Sequence, residues 1–318
     1  MAVSPTPHSC SGSESLDEIK GARIVITGPA SQVGLPVARA LARDNHVIGA
    51  ARFTNPKDRS RLEAIGVECV RADLSNGDVQ EIPDAVDYLI HFAVAKSADF
   101  EADLAANAEG VGHLMSRCRS ARGFLCCSTT GVYQPRDHEP LAEGDFLGDN
   151  HARMLPTYSI TKIAGEAVAK FGAQEWNLPT TIARLNVPFG DEGGWPFFHL
   201  LMMQAGQEIP VHTNAPSSYN PIHEDDIVRM VPKLLGIATT PARIVNWGGT
   251  ETTSIEEWCR YMGELTGIEP KFRPTTETIE SVIPDTQRMV SLIGATETPW
   301  RDGLRRMIAA RMPELLKN

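Results

Sequence analysis

Tyr158 and Lys162 stand four residues apart in Tyr158-Ser159-Ile160-Thr161-Lys162, a spacing that sets a phenol and an ammonium on one face of a helix. A phenol with its ordinary pKa near 10 is a poor base at neutral pH, and a neighbouring cation favours the phenolate. Proton transfer to or from a secondary alcohol then becomes feasible. Alone, this spacing recurs by chance on many helices. It gains weight from Thr129, in Ser128-Thr129-Thr130-Gly131-Val132-Tyr133 at the end of an apolar run. Ligands of open α/β sheets bind outside the carboxyl ends of the strands, where a hydroxyl can reach the same substrate oxygen as Tyr158. The plain alternative is a solvated helix pair beside an ordinary strand end.

A second constellation precedes it. Thr27-Gly28-Pro29-Ala30-Ser31-Gln32-Val33-Gly34 lies where a β-branched run feeds a helix, and backbone N–H groups at such a helix start can hold a pyrophosphate. Gly28 and Gly34 fill the outer places of a G-x-x-G-x-x-G pattern, with Ser31 in the middle one. The next apolar run ends Gly49-Ala50-Ala51-Arg52. A carboxylate there would bond the ribose of NAD, whereas an Arg accommodates the 2′-phosphate of NADP. Arg52 therefore favours NADP over NAD.

These residues need strands and helices to position them. Short apolar runs at Ala22–Thr27, His46–Ala51, Val67–Arg71, Asp87–Phe92, Gly123–Cys127 and Thr180–Leu185 read as six strands. Helical patterns fall at Val33–Arg43, Lys57–Ile65, Phe100–Arg119 and Thr157–Trp176. This alternation predicts a Rossmann-type, doubly wound parallel α/β sheet. The long polar passage Gln134–Pro156 reads as a functional rim or lid. After Asn186 the rhythm breaks, with a further strand at Arg243–Trp247 and a helix at Ser254–Thr266. The expected organisation is a flexible tail over residues 1–20 and an NAD(P)-binding domain over 21–185, to which 222–250 return. A smaller interleaved substrate-binding domain is expected from 186–221 and 251–318. Its aromatic and Met-rich stretch Trp195–Met203 reads first as a buried helix, and otherwise as the lining of a less polar pocket.

Composition narrows the function classes. A net charge of -10 opposes binding to nucleic acid. The six cysteines lack metal spacing or a paired framework, so neither a metal site nor disulfides are expected. No apolar stretch reaches membrane-spanning length and the first twenty residues lack the apolar core of a secretory signal, which suggests a soluble cytoplasmic protein.

From Gly21 to about Leu304 the chain resembles the extended short-chain dehydrogenase/reductases, in their epimerase/dehydratase branch. The likeness runs in order through the Thr27–Gly34 turn, Arg71-Ala72-Asp73-Leu74, His91-Phe92-Ala93, Asn107, Ser128–Tyr133, Tyr158–Lys162, Arg184–Gly190, Pro221–Asp226 and Asn246–Gly249. By that resemblance Gly28, Ser31, Gln32 and Val33 cradle the pyrophosphate, Asp73 and Leu74 meet the adenine, and Phe92, Ala93 and Val94 line the cofactor channel. Tyr158 is the acid/base, Lys162 also holds the nicotinamide ribose, Thr129 takes the Ser/Thr place, and Asn186 and Val187 border the nicotinamide. The resemblance also implies a homodimer through the helices bearing Asn107 and Tyr158, with Leu104, Val111, Ile163 and Val168 exposed. Where nucleotide-sugar members often carry an Arg four residues before His223, this chain has Tyr219.

The leading expectation is an NAD(P)-dependent oxidoreductase that interconverts a small-molecule secondary alcohol and its ketone. A nucleotide-sugar epimerase, which returns the hydride to the substrate, uses the same groups. A non-catalytic NAD(P) sensor on the same fold is the reading from another class, and Thr129, Tyr158 and Lys162 speak against it.

Overall fold

After Arg23, the residues Ile24, Val25 and Ile26 form a strand (β1, Arg23–Thr27) in which each is 0% exposed. Successive side chains of a strand point to opposite faces. Ile24 and Ile26 accordingly enter one apolar cluster and Val25 a second, so both faces of the sheet are covered. A computed structural model, described here for residues 18–317, gives that sheet seven strands.

The strands β2 (His46–Ala51), β3 (Glu68–Arg71), β4 (Tyr88–His91), β5 (Gly123–Thr129) and β6 (Thr180–Leu185) join β1. Their spatial order is Arg243–Trp247, β6, β5, β4, β1, β2, β3, with every neighbouring pair parallel. This is the Rossmann-type, doubly wound α/β sheet expected. The order reverses between β1 and β4, which opens a crevice at their carboxyl ends.

On one face lies α1 (Gly34–Leu41), and α2 (Pro56–Glu63) connects β2 to β3. The other face carries α3 (Phe100–Leu104), α4 (Gly110–Arg117) and α5 (Tyr158–Glu175), whose buried Val111, Leu114, Met115, Ala169 and Ala173 pack with Val25. Beyond β6 come α6 (Trp195–Gln204) and α7 (Glu224–Gly236). A third apolar cluster, from Phe189, Leu200, Met203, Trp258, Met262, Leu304, Met307 and Ile308 among others, forms the core of the later part of the chain.

Three expectations are corrected. The helix expected over Phe100–Arg119 is broken by a π-turn at Ala105–Glu109. The cause is tertiary: Asn107 Oδ1 accepts from Ala95 N (2.7 Å), its Nδ2 donates to Ala95 O (2.8 Å) and to Thr161 Oγ1 (3.0 Å), and its carbonyl abuts Gly165 of α5. Single π-turns of this kind are frequent at functional sites. Ile19, assigned to the tail, is 7% exposed within the first core, and its carbonyl accepts from Asn45 Nδ2 (2.8 Å). Residues 1–17 of that tail, Cys10 included, lie outside the described residues. Val111 is 1% exposed and faces the sheet, while Leu104, Ile163 and Val168 are half-buried. Val111 therefore cannot serve an exposed dimer face. Among the described residues no helix is long and apolar enough to cross a membrane.

Candidate active site

The carboxyl ends of β1, β4, β5 and β6 surround one cavity of about 670 Å³, within the range of small-molecule sites. Ser31, Gln32, Val33, Phe92, Val94, Thr129, Tyr158, Lys162, Asn186 and Val187 all line it. Gly28, Arg52, Asp73, Leu74 and Ala93, also expected in the site, lie outside that lining.

The first turn shows how a Ser can stand in the middle place. The Ser31 hydroxyl donates to Gly28 O (2.7 Å) and accepts from Gly34 N (3.0 Å). Its side chain thus closes the turn instead of crowding a bound group. Gly28 has φ +65°, and a Cβ there would lie 2.7 Å from Ala93 N. A Cβ on Gly34 would collide with the carbonyl of Gly28. Both positions need glycine, one for its backbone conformation and close approach, the other for close approach alone. Gln32 and Val33, whose N–H groups donate to no backbone carbonyl among the described residues, line the cavity at the start of α1. This open cradle fits a dinucleotide pyrophosphate.

Arg52 is exposed at the end of β2. It is close enough to Asp73 to help hold that carboxyl below its ordinary value, after the larger influence of hydrogen bonds from Ser75. Leu74 packs against Gly110 at the start of α4. These groups form a patch beside β2 and β3, distinct from the walls of the cavity.

At the chemical centre, the Thr129 hydroxyl accepts from Gly131 N (3.1 Å), which leaves its proton free to donate. Neighbouring Ser128 turns the other way and donates to Glu166 Oε1 (2.6 Å). Tyr158 is half-buried at the start of α5. One turn on, the Lys162 ammonium donates to Cys127 O (2.6 Å) and is 7% exposed, with two further N–H donors to offer. Asn186 is spent on protein groups: Nδ2 donates to Thr130 Oγ1 (2.7 Å) and Val282 O (3.2 Å), and Oδ1 accepts from Asn220 N (2.9 Å). It fixes the wall rather than offering a free donor.

Several lining residues were not foreseen from sequence. Lys96, in the loop after β4, sets its ammonium 4.5 Å from the Tyr158 ring centroid. His151, from the polar passage before α5, meets the same ring edge-on at 5.1 Å. The Ser159 hydroxyl donates to Gly131 O (2.7 Å), so the 3.0 Å contact with His151 Nδ1 requires the proton on that nitrogen. Burial first, and then the Lys96 charge, lower the His151 pKa to about 4. His151 is therefore neutral near pH 7 and its Nε2 is an acceptor. Arg311, Ile279 and Val282 also join the unforeseen lining, as do Met154, Leu155 and Glu192. The five described cysteines are free, and among the described residues no group of His, Cys, Asp and Glu could hold a metal ion.

A model of the NAD dependent epimerase/dehydratase family matches residues 24–248. Among curated proteins, the chain is 23% identical over 266 residues to the uncharacterized UDP-glucose epimerase YtcB of Bacillus subtilis (strain 168), covering 77% of this chain and 82% of that one. Among solved structures it is similar to the UDP-N-acetylglucosamine 4-epimerase from Methanobrevibacter ruminantium M1, with TM-score 0.80, 16% identity, and coverage of 93% of this chain and 100% of that one. It is also similar to the UDP-glucuronic acid 4-epimerase from Bacillus cereus in complex with UDP-glucuronic acid and NAD, with TM-score 0.77, 18% identity, and coverage of 91% and 98%.

Proposed function

The chain belongs to the NAD dependent epimerase/dehydratase family, and from that premise we propose that it catalyses reversible hydride transfer at a secondary carbinol of a small molecule, with return of the hydride to the same carbon as the net outcome. The observation that carries the chemistry is the convergence of Thr129, Tyr158 and Lys162 on the cavity that the Ser31–Val33 turn also lines. When bound, NAD supplies the two-electron acceptor for the carbinol hydrogen.

Tyr158 takes the hydroxyl proton as the carbonyl forms and gives it back on return. Thr129 donates a hydrogen bond to the same oxygen, and Lys162 stands one helical turn beyond Tyr158 on α5. The cradle at Gln32 and Val33 binds the pyrophosphate, and Lys162 holds the ribose with its remaining N–H groups.

Return of the hydride is favoured over the net alcohol–ketone oxidoreductase expected from sequence, because the relatives bear epimerase names. The same three groups at the cavity would equally serve the net reaction, which stands as the second reading. The two differ in cofactor stoichiometry. An epimerase inverts its substrate with catalytic NAD and no build-up of reduced nicotinamide absorbance. Accumulation of one reduced cofactor per product would establish the net oxidation instead.

Arg52 remains the group proposed to read a 2′-phosphate. Arg52→Ala is expected to weaken NADP roughly tenfold, the size of a charged hydrogen bond lost at an exposed site, with NAD little changed. Equal changes in the two dissociation constants, measured by titration calorimetry, would remove Arg52 from that role.

A further inference from the structure

We propose that the substrate half of this cavity is built for an uncharged, ring-bearing secondary alcohol or its ketone, and not for a nucleotide diphosphate sugar. The proposal rests on the hydride-transfer reading above and is independent of whether the hydride is returned.

Away from the cofactor-binding turn, the wall includes an apolar and aromatic group formed by Trp195, Phe197, Phe198, Tyr219, Ile279 and Val282. Tyr219 offers a ring and withholds its hydroxyl, which donates to Glu280 O (2.9 Å). Trp195 is held edge-on by Tyr219 at 5.1 Å and by Trp258 at 5.9 Å. Trp258 is fixed in turn by its indole N–H, which donates to His199 Nδ1 (3.0 Å). The result is a rigid aromatic surface already packed in the arrangement a flat ring would meet.

A diphosphate brings two charges and many acceptor oxygens, and buried charge is tolerated only when paired and hydrogen-bonded. The wall offers little of either. Asn186 is committed to Thr130, Val282 and Asn220, and Asn220 Nδ2 donates to Gly249 O (2.9 Å). Glu192, also in the lining, adds negative charge and is held by Arg39 and Arg61 at 3.0 Å each. Beyond Lys162 the cations of the lining are Lys96 and Arg311, both exposed, with Lys96 over the Tyr158 ring and Arg311 4.9 Å from the Phe197 ring centroid.

The opening has the same character. Val94, Met154 and Phe198 line the cavity while remaining 43%, 44% and 62% exposed, an apolar rim of the kind that marks a ligand entrance. Within, His151 Nε2 is one fixed acceptor for a hydroxyl. Such a site selects by shape and apolar area, with one carbinol oriented by Thr129 and Tyr158.

The test uses the full chain loaded with NAD, titrated calorimetrically with trans-2-decalone, UDP and UDP-glucose. Decalone is expected to bind about tenfold or more tightly than either nucleotide. Trp195→Ala should weaken decalone about tenfold with NAD affinity unchanged, and Tyr219→Arg, which trades ring for charge, should move preference toward UDP-glucose. Tighter binding of UDP or UDP-glucose by the wild type, no binding of decalone, or decalone affinity unmoved by both variants would overturn the assignment. A separate assay of 2-decalol oxidation isolates the reaction. Decalone binding without Tyr158-dependent hydride transfer would sink the reaction and leave the pocket assignment standing. Tyr158-dependent turnover of UDP-glucose alone would do the reverse.

Discussion

Tyr158→Phe is expected to lower kcat by about 10² to 10⁴, the usual worth of a positioned general acid–base. The variant removes only the hydroxyl, so the ring contacts with His151 (5.1 Å) and Lys96 (4.5 Å) survive and the start of α5 keeps its packing. The Ser31–Val33 segment proposed to hold the pyrophosphate belongs to a different turn. Cofactor affinity should therefore change little while turnover collapses. Single-turnover measurements with NAD pre-bound separate the two effects, since loss of a group used only in the transition state lowers kcat and kcat/KM together. Near-full single-turnover rates in the variant would show that another residue carries the proton. His151 would then be examined first, because its neutral Nε2 shares the cavity.

The residues of this site divide by how they are encoded. Thr129, Tyr158 and Lys162 were legible because each is fixed by local structure: a strand end for the first, a single helical turn for the other two. The Gly28–Gly34 turn was legible for the same reason, and the seven strands followed from short apolar runs. The π-turn at Asn107 was not, since it depends on Gly165 of α5 lying against the Asn107 carbonyl, a contact 58 positions away in the chain. Val111 was misplaced because helical spacing identifies a face without saying what covers it; the sheet does. Lys96, His151, Ile279, Val282 and Arg311 come from loops and the C-terminal part of the chain. No periodic pattern marks them, and only the tertiary fold brings them to the cavity. The Trp195–Met203 stretch serves both readings made of it: Leu200 and Met203 are core, while Trp195, Phe197 and Phe198 face the cavity.

Arg184→Met should destabilise the protein by about 3–5 kcal/mol, the cost of leaving one member of a buried ion pair uncompensated. Arg184 Nη2 and Nε donate to the two oxygens of Glu166 at 2.7 and 2.9 Å, and both side chains are 2% exposed. Burial opposes the guanidinium charge, yet the bonds and charge of Glu166 outweigh it and hold Arg184 ionised. Glu166 also accepts from the Ser128 hydroxyl at 2.6 Å, so one carboxylate ties β5, β6 and α5 together. It lies one helical turn beyond Lys162 on α5 and beside the strand end that bears Thr129. The double variant Glu166→Leu with Arg184→Met should regain about 2 kcal/mol of the loss, because an apolar pair of similar volume removes both charges from the interior. About 1–3 kcal/mol should persist, since the Ser128 hydroxyl loses its acceptor. Urea midpoints for the three chains at constant m-value measure each amount. A cost below about 1 kcal/mol for Arg184→Met would be that of a solvated surface pair, and the link between Glu166 and the geometry of Thr129 and Lys162 would fail with it. If the larger cost is found, kcat should also fall in Arg184→Met well below its melting temperature, because the tie that sets α5 against β6, next to the end of β5, is lost before the fold is.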